Sequence, residues 1–361
     1  MNTTANAPVR SALHQRLELH PPRKILVINV TRIGDTLLVT PAVRALARKW
    51  PDAHITVLAH PKRKEVLEAL PFVGHVGAIE KHRAQWLGWL GGKTYDLAFV
   101  FGFDEALVKY ALRASRDVVA FQQASRSLNE RLALAVAPPA RESMHAVMQQ
   151  LALVMAAGVE PAGYGLAYQV TAADRDWAQA RLRRDVGAAR PLVGLQIASF
   201  PTRAYRNWPV THFAELCHGI RATWPDAHFL VFGGKADADA TADLGSALTS
   251  HATVYAGQLT LRQTAALMNE LDLYVGVDTG PTHIAGAVGC PMVSLYHCRH
   301  PASIYAPLDR AACIAIDHPA AGTADCGPQT PMADIPPARV LAACSALLNG
   351  TSAGSNGNAT P

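Results

Sequence analysis

Short apolar runs alternate with amphipathic segments along both halves of the chain. In the first half they predict strands at 25–30, 55–59, 76–79, 97–101 and 118–121, with helices at 36–49, 62–70, 105–114 and 143–157. In the second half they predict strands at 193–197, 228–232, 253–256, 273–277, 292–296 and 313–316, with helices at about 210–222, 236–248, 260–269, 281–288 and 337–348. Strands that alternate with helices in this way are typical of a parallel sheet covered on both faces.

An internal repeat indicates two similar halves. The sequence WPDAH occurs at 50–54 and again at 224–228, each time between an amphipathic helix and an apolar strand. We therefore predict an α/β protein with two Rossmann-like, doubly wound domains facing a central cleft. In such sheets ligands bind outside the carboxyl ends of the strands, so residues at strand ends are the first candidates for function.

A Gly- and Pro-containing linker that ends near Gly165 separates the predicted domains. We expect an N-terminal domain over 23–165 and a C-terminal domain over 166–349 that includes a terminal helix. An N-terminal extension over 1–22 is expected to be poorly ordered, and the small polar tail over 350–361 is expected to be disordered.

Composition and charge narrow the class of protein. No uncharged apolar run reaches the roughly 18 residues that a spanning helix needs, and the N-terminus lacks the apolar segment of a secretory signal, so we expect a cytosolic protein. Residues 1–170 carry 20 Lys and Arg against 13 Asp and Glu, whereas residues 171–361 carry 13 against 15. The basic first half favours an anionic partner. The basic residues are scattered and form no nucleic-acid-binding module. They are compatible with binding of a phosphorylated or membrane-associated acceptor, and equally with an ordinary solvated surface.

The cysteines indicate neither a disulfide framework nor a metal site. There are six, all in the second half and without a C-x-x-C pair: Cys217, Cys290, Cys298, Cys313, Cys326 and Cys344. This pattern predicts reduced thiols. His297, Cys298 and His300 cluster in the sequence, but no matching pair of ligands stands out elsewhere, so no metal is predicted.

The strongest candidate for a ligand site follows the apolar run 271–277, where the sequence continues as DTGPTH into a predicted helix. A helix start presents unpaired N–H donors and a positive dipole end, so small residues there let an anionic group approach the backbone. Thr279 and Thr282 add hydroxyls, and the Asp278 carboxylate is placed to accept hydrogen bonds from sugar hydroxyls. The alternative is a helix cap without a ligand.

Two more strand ends carry candidate chemistry. Asp35 follows the first strand at a turn opened by Gly34, where its carboxylate is either a general base or a helix cap. The loop after strand 193–197 places Ser199, Thr202 and Arg206 near a helix start, where they suit a diphosphate on which charge builds, although a solvated basic loop has the same composition. The chain lacks the G-x-G-x-x-G and P-loop patterns at these turns.

Taken together, these segments resemble glycosyltransferase family 9, the ADP-heptose:lipopolysaccharide heptosyltransferases. The matching segments are, in order, RIGDTLLVTPAVRAL, the RNWP loop followed by HFAEL, the FGG turn, AGQLTLRQTAAL and VDTGPTHIAGAVGCPMVSLY. The resemblance runs from about residue 23 to about residue 348, and the combination is specific although each motif alone is weak. It implies a GT-B fold with an N-terminal acceptor domain and a C-terminal nucleotide-sugar domain.

The resemblance also implies a mechanism. Asp35 matches the family's catalytic base, which deprotonates an acceptor hydroxyl for in-line attack on the anomeric carbon with inversion. Arg32, Gly34 and Thr36 lie on the same acceptor-side loop. Arg206 stands where the family usually has Lys before the x-W-P turn. It keeps the positive charge but presents a broad fork, so we expect it to hold phosphate as a catalytic group while altering the preference for donors.

The resemblance further implies a donor site that needs neither a metal nor a cofactor. The residues that match it by motif or position are Ser199, Thr202, Asp237, Gly257, Leu259, Asp278, Thr279, Gly280 and His283. The implied partners are a nucleotide-sugar donor of the ADP-heptose type and an anionic, lipid-linked saccharide acceptor, with no nucleic acid. The implied location is the cytoplasm, with peripheral contact at the cytoplasmic face of the inner membrane.

Two other functions are compatible with the same sequence. A GT-B-like nucleotide-sugar epimerase would bind similar donors without a lipid acceptor. A catalytically silent nucleotide-sugar binding protein would keep the donor site and lack the base.

Overall fold

The computed structural model describes residues 12–87 and 92–355, with side chains described up to residue 350. The chain divides into two compact units. The first contains the chain up to Thr31 together with Leu38–Tyr164, and the second contains Arg32–Leu37 together with the chain from Gly165 onward.

The elements of the first half begin with a helix that the sequence did not predict. Its strands are β1 (Lys24–Asn29), β2 (His54–Ala59), β3 (His75–Ala78), β4 (Tyr95–Val100), β5 (Ser115–Phe121) and β6 (Leu134–Val136). Its helices are α1 (Ala12–Leu19), α2 (Ile33–Leu38), α3 (Thr40–Lys49), α4 (Lys81–Ala84), α5 (Glu105–Ala114), α6 (Arg126–Asn129) and α7 (Ala146–Met155). A single 3-10 turn covers Lys64–Leu67, where a longer helix was predicted.

The second half has the same alternation. Its strands are β7 (Leu192–Gln196), β8 (His228–Phe232), β9 (Ala252–Val254), β10 (Leu273–Val277), β11 (Met292–Tyr296) and β12 (Cys313–Asp317). Its helices are α8 (Ala172–Asp185), α9 (Val210–Thr223), α10 (Ala238–Leu248), α11 (Leu261–Asn269), α12 (Gly280–Val288), α13 (Ala302–Tyr305) and α14 (Pro337–Ser355). The 3-10 turns are Pro201–Arg206, Lys235–Asp237, Thr249–His251 and Met332–Asp334.

Both sheets are six-stranded and parallel, with one topology. The first has the order β3-β2-β1-β4-β5-β6 and the second has the order β9-β8-β7-β10-β11-β12. In each, the first strand lies between the second and the fourth, so the direction of winding reverses there. Ligands of doubly wound sheets bind in the crevice at this reversal, which places candidate sites after β1 and β4 and after β7 and β10.

The central strands are buried on both faces because helices cover each side of a parallel sheet. In β1, Ile25, Leu26, Val27 and Ile28 are fully buried, and every residue of β7, β8, β10 and β11 is buried. The terminal helix α14 belongs to the second unit, where Gly219 of α9 allows close packing: a Cβ there would lie 2.6 Å from Leu341 Cδ2.

The repeated WPDAH sequence forms the same turn twice. Trp50 donates its backbone N–H to Leu46 and Trp224 donates its backbone N–H to Ile220, so each closes the preceding helix. The alanine three residues after each tryptophan donates to the tryptophan carbonyl at 3.0 Å, and the histidine that follows begins β2 or β8. The repeat therefore marks equivalent positions in two Rossmann-type sheets.

The chain ends differ from the expectation of disorder. Residues 12–19, within the extension over 1–22, form α1, because Leu13 and Leu17 share one face of the helix and are both buried. At the other end α14 continues to Ser355. The expectations for residues 1–11 and 356–361 lie outside the described residues.

Two cysteines correct the prediction of reduced thiols. Cys298, just after β11, and Cys326, in the loop after β12, form a disulfide with a Cα to Cα distance of 5.7 Å. Adjacent parallel strands bring their carboxyl ends together, so the fold pairs residues that the spacing along the chain does not suggest. Cys217, Cys290, Cys313 and Cys344 are free.

This pairing predicts the number of reactive thiols. Protein purified without reductant and unfolded in guanidinium should give four thiols with a colorimetric thiol reagent, and six after reduction. Removal of one partner by Cys298→Ser should give five without reductant, because Cys326 is then released. Six thiols in the unreduced wild type would contradict the disulfide.

Candidate active site

The turn between β10 and α12 is an uncapped helix start. Thr279 precedes the first helical residue with extended backbone (φ −147°, ψ 174°) and makes no side-chain cap hydrogen bond, while Pro281 lies in the first turn. The hydroxyl of Thr279 lies 3.4 Å from the carbonyl of Val277. Without a side-chain cap, the first N–H groups of α12 keep the donor capacity that an anion uses. The alternative of a simple helix cap is therefore not what this turn forms.

Asp278 makes a buried ion pair instead of a cap. Its Oδ2 lies 2.7 Å from Nη1 of Arg206, which also lies 3.4 Å from the Asp278 carbonyl. On the other side, Oδ1 lies 3.7 Å from Nε2 of His283. The side chains of Asp278 and Arg206 are only 6% and 11% exposed, so each charge offsets the cost of burying the other.

Burial raises the pKa of Asp278 above its ordinary value, and the charges of His283, Arg206 and Arg203 oppose this rise. The charge of Asp35 adds to it. The Nε of Arg206 is buried without a hydrogen-bond partner among the described residues. A buried guanidinium N–H of this kind is a vacant donor for an oxyanion.

Thr282 does not provide the ligand hydroxyl that the sequence suggested. Its Oγ1 lies 2.5 Å from the carbonyl of Val277 and 2.9 Å from the hydroxyl of Tyr274. Both groups are buried, so Thr282 joins the first turn of α12 to β10. Thr282 is the third residue of α12, and its hydroxyl points back to the end of β10 rather than outward.

The loop after β7 carries the arginine to this turn. Ser199 is held by Asn207, whose Oδ1 accepts from the Ser199 N–H at 2.7 Å, and the Ser199 hydroxyl lies 2.6 Å from the carbonyl of Arg203. Thr202 is exposed in the 3-10 turn. Asn207 was missed in the sequence, although an amide in a short loop is a common backbone partner. Ser199 therefore shapes the loop, and Thr202 is the hydroxyl of this loop that faces solvent.

Tryptophan anchors the end of the same loop. Trp208 is 1% exposed and donates its indole N–H to the carbonyl of Ile335 at 2.9 Å. Arg206 is thus fixed two residues before a buried anchor.

The Arg32–Leu37 segment belongs to the same compact unit and lies against the start of α12. A Cβ on Gly34 would lie 2.6 Å from His283 Cδ2, and a Cβ on Gly280 would lie 3.1 Å from Ile33 Cβ. The two glycines therefore permit a contact that a larger residue on either side would prevent. Asp35 is exposed in the first turn of α2, and its negative charge contributes to the raised pKa of Asp278.

The flanking residues of this segment have defined partners. Thr36 is fully buried, and its hydroxyl donates to the Arg32 carbonyl at 2.8 Å, so it supports the turn rather than facing a ligand. The Arg32 guanidinium lies over the ring of Phe200, 5.7 Å from its centroid.

The residues that match the nucleotide-sugar site by a looser alignment lie further along the second sheet. Asp237 Oδ2 accepts from the Gly234 N–H at 2.8 Å, and Gly257 has φ of +69° and donates to the Gly233 carbonyl at 2.9 Å. Leu259 is partly buried between β9 and α11. Since β8 and β9 are two and three strands from β10, these residues stand about 10 to 15 Å from the Asp278 turn.

An aromatic and histidine cluster adjoins Arg206. The sequence shows the histidines close together but does not predict their contact with Tyr205 beside Arg206. Tyr205 shares a hydrogen bond of 2.9 Å with His300 Nε2, and the Arg206 guanidinium lies 5.7 Å from the Tyr205 centroid. The ring of Tyr305 lies 5.7 Å from that of His300. Burial raises the pKa of Tyr305, and the charges of Asp278 and Asp35 add to the rise. Of the neighbouring residues, His297 Nε2 lies 3.0 Å from the Thr330 carbonyl, and Cys298 forms the disulfide with Cys326.

Within residues 12–87 and 92–355, no group of three or more His, Cys, Asp or Glu side chains is arranged to hold a metal ion. In the same residues, no helix is both long and apolar enough to cross a bilayer.

Solved structures of other proteins show the class of fold. The fold matches a glycosyltransferase family 9 protein from Veillonella parvula with a TM-score of 0.77 and 20% identity, over 91% of this chain and 97% of that one. It matches Escherichia coli ADP-heptose lipopolysaccharide heptosyltransferase II with a TM-score of 0.75 and 23% identity, over 91% and 99%. Two Rossmann-type sheets with this likeness confirm the prediction of an α/β protein of the GT-B class.

The sequence gives the family. It is 27% identical to lipopolysaccharide heptosyltransferase 2 of Escherichia coli over 90% of this chain and 98% of that protein. The model of glycosyltransferase family 9 (heptosyltransferase) matches residues 89–326, about two thirds of the chain. The chain belongs to glycosyltransferase family 9 and is an enzyme of that class, which confirms the resemblance read from its motifs.

The buried ion pair predicts a large stability effect. Arg206→Ala leaves the Asp278 carboxylate buried without its partner, and we expect the free energy of unfolding to fall by about 3–5 kcal/mol in urea titrations. A second substitution, Asp278→Asn, should recover part of this loss because it removes the unpaired charge. Arg299→Ala, at an exposed arginine of the same unit, should change stability by less than about 0.5 kcal/mol. Equal effects of the two arginines would contradict a structural ion pair.

His300 predicts a dependence of stability on pH. Burial, followed by the charge of Arg206, lowers the pKa of His300 from 6.5 to about 3. Between these values the unfolded chain binds a proton that the folded chain does not, so the contribution of His300 to stability is lost as pH falls from 6.5 towards 3. His300→Gln should make the free energy of unfolding less dependent on pH in this interval, whereas His82→Gln, at an exposed histidine, should not. An unchanged dependence in His300→Gln would show that His300 titrates as in the unfolded chain.

Proposed function

We propose that this enzyme transfers a heptose from ADP-heptose to the core saccharide of a lipopolysaccharide-type acceptor, with inversion and without a metal. The proposal is supported by the family, by the names of its relatives and by one feature of the site. That feature is the turn at Asp278, where an uncapped helix start, a buried arginine and a carboxylate converge. Helix N–H groups and arginine suit a diphosphate, and the carboxylate suits sugar hydroxyls.

In this mechanism the donor diphosphate lies at the start of α12. The N–H groups after Thr279 and the vacant Nε–H of Arg206 donate hydrogen bonds to its oxygens, whose negative charge grows as the bond to the anomeric carbon breaks. Asp278 is the residue that holds sugar hydroxyls, with His283 beside it. Since Arg206 is also the partner of Asp278, one guanidinium fixes the sugar-binding carboxylate and binds the leaving group.

The remaining predicted donor residues fit around the nucleotide. Asp237, Gly257 and Leu259, about 10 to 15 Å from the Asp278 turn by strand spacing, are the proposed contacts of a ribose and base whose diphosphate is at α12. The hydroxyl of Thr202, in the loop after β7, is a candidate hydrogen-bond donor to phosphate. The hydroxyl of Ser199 already donates to the Arg203 carbonyl of the same loop.

Asp35 is the proposed general base. Its segment lies against the Gly280 and His283 turn, and its side chain is exposed, so an acceptor hydroxyl can reach the carboxylate. Proton transfer from that hydroxyl to Asp35 accompanies attack on the anomeric carbon from the side opposite the diphosphate, which inverts the configuration. Arg32 lies on the exposed side of the same turn, where an anionic acceptor would meet it.

The acceptor side of the proposal rests on charge. The first 170 residues carry a net charge of +7, from 20 basic and 13 acidic residues. An anionic lipid-linked saccharide at the cytoplasmic face of the inner membrane would be attracted to this half of the chain. The enzyme would then act in the cytoplasm with peripheral membrane contact. The epimerase and the silent binding protein are not favoured, because the family that matches is a family of transferases.

Asp35 gives the test of this mechanism. Asp35→Asn should lower kcat for heptose transfer by about 100-fold or more, because it removes the base, while ADP-heptose still raises the melting temperature as it does in the wild type. Glu65→Gln, at a partly buried carboxylate of the first unit, is the matched control and should keep kcat. Transfer by Asp35→Asn at the wild-type rate would exclude Asp35 as the base. A stability increase with other nucleotide sugars, and none with ADP-heptose, would exclude heptose as the donor sugar.

A further inference from the structure

A three-layer stack at the carboxyl edge of the first sheet has no role in the mechanism above. The ring of Phe103 lies on the ring of Phe121 with centroids 5.6 Å apart and planes 23° apart. The guanidinium of Arg141 lies over Phe103, 4.7 Å from its centroid. From the sheet outward, the layers are a buried phenylalanine, a phenylalanine that is 41% exposed, and an exposed arginine.

The stack stands where ligands bind in sheets of this topology. Phe121 ends β5, and Phe103 follows β4. β4 pairs with β1, and the winding of the first sheet reverses at β1. Arg141 lies in the segment between β6 and α7. Three separate connections thus meet at the carboxyl edge of one sheet, beside the reversal point.

The loop that carries Phe103 is built to hold it outward. Gly102 has φ of +103°, which turns the chain sharply after β4, and Asp104 caps α5 through the backbone N–H groups of Ala106 and Leu107. Gln123 donates its amide to the carbonyl of Phe121 at 2.6 Å and lies 3.4 Å from that of Gly102. These contacts hold the ring of Phe103 in one place at the surface of the sheet's carboxyl edge.

Arg141 keeps its hydrogen-bonding capacity. Among the described residues no ion pair or hydrogen bond engages its guanidinium, whereas its carbonyl accepts from Gln149 at 3.2 Å. Stacking on an aromatic face orients a guanidinium and leaves its N–H groups at the rim, so less conformational entropy is lost when it binds an oxyanion. At the same edge of the sheet, Oε1 of Gln123, whose amide donates to the Phe121 carbonyl, is buried without a hydrogen-bond partner among the described residues. A ligand rich in hydroxyls would bring the donors that this oxygen lacks.

We propose that the stack of Phe121, Phe103 and Arg141 is a subsite for an oxyanion carried by the acceptor saccharide. Two N–H groups of the Arg141 guanidinium donate parallel hydrogen bonds to the oxyanion, and Phe103 acts as a positioning residue that holds the guanidinium. This inference rests on the proposed function and adds to it the anionic group of the acceptor that the first unit recognises. The oxyanion is a phosphate or a carboxylate of the saccharide, and the experiment separates the two.

The test compares acceptor kinetics in matched variants. Arg141→Ala should raise KM for a phosphorylated, deacylated core saccharide by about tenfold or more, with kcat and KM for ADP-heptose little changed. Phe103→Ala should raise the same KM by a smaller factor, and Phe103→Trp should restore it because tryptophan keeps the stack. The double variant should resemble Arg141→Ala alone, since the two side chains act as a unit.

Controls come from the other end of the same unit. Arg116, which is 73% exposed, lies at the amino end of β5. Trp86, which is 76% exposed, lies where the carbonyls of Ala84 and Leu87 meet Arg113 at the end of α5. Arg116→Ala and Trp86→Ala should leave the acceptor KM unchanged. Acceptor treated with phosphatase should lose the difference between wild type and Arg141→Ala if the oxyanion is a phosphate, and should keep it if it is a carboxylate.

Direct binding separates this inference from the proposed function. Calorimetric titration of the same saccharide should show weaker binding to Arg141→Ala than to wild type, whether or not heptose is transferred. If wild type transfers heptose and Arg141→Ala has the wild-type acceptor KM and affinity, the subsite is wrong and the proposed function stands. If wild type transfers no heptose but binds the saccharide through Arg141, the function fails and the subsite stands.

Discussion

The buried ion pair of Arg206 with Asp278 is the interaction on which the candidate active site depends. Its two side chains come from the loops after β7 and β10, neighbouring strands at the reversal point of the second sheet. Each charge would be costly to bury alone, and the pair therefore fastens the two loops together. Other contacts follow from it: Asn207 and Trp208 fix the arginine's loop from behind, and His283 closes the other side of the carboxylate.

The pair also explains why Asp278 leaves the start of α12 uncapped. An aspartate just before a helix commonly accepts hydrogen bonds from its first N–H groups. Here both carboxylate oxygens face Arg206 and His283, and Thr279 makes no side-chain cap hydrogen bond. The helix start thus keeps its donors for a ligand. A carboxylate and a set of N–H donors that would otherwise satisfy each other are held apart, as the proposed binding of both sugar hydroxyls and phosphate at one turn requires.

Much of the fold could be predicted, because near-continuous apolar strands and the WPDAH repeat depend only on local sequence. The same is true of the Asp278 turn, where strand, small residues and helix follow each other directly. Contacts between distant segments could not be predicted. The Cys298 and Cys326 disulfide joins loops after two adjacent strands, and the inward turn of the Thr282 hydroxyl depends on Tyr274 beneath it. Likewise α1 forms because Leu13 and Leu17 find a buried surface, which eight residues of moderate amphipathicity do not reveal.

Arg206 and Arg141, the two arginines that we propose to bind oxyanions, differ in burial, and this difference matches the different tasks of the two oxyanions. A leaving diphosphate gains charge during the reaction, so its partner is most effective where water is excluded and the geometry is fixed in advance. Arg206 meets both conditions, at the cost of needing Asp278 to stabilise its own charge in the interior. An oxyanion on the acceptor takes no part in bond breaking and needs only to be located. For that task an exposed guanidinium suffices, provided that something limits its motion, and a phenylalanine ring does so without neutralising it. An acidic partner would also hold Arg141 in place, but it would compete with the ligand for the same N–H groups.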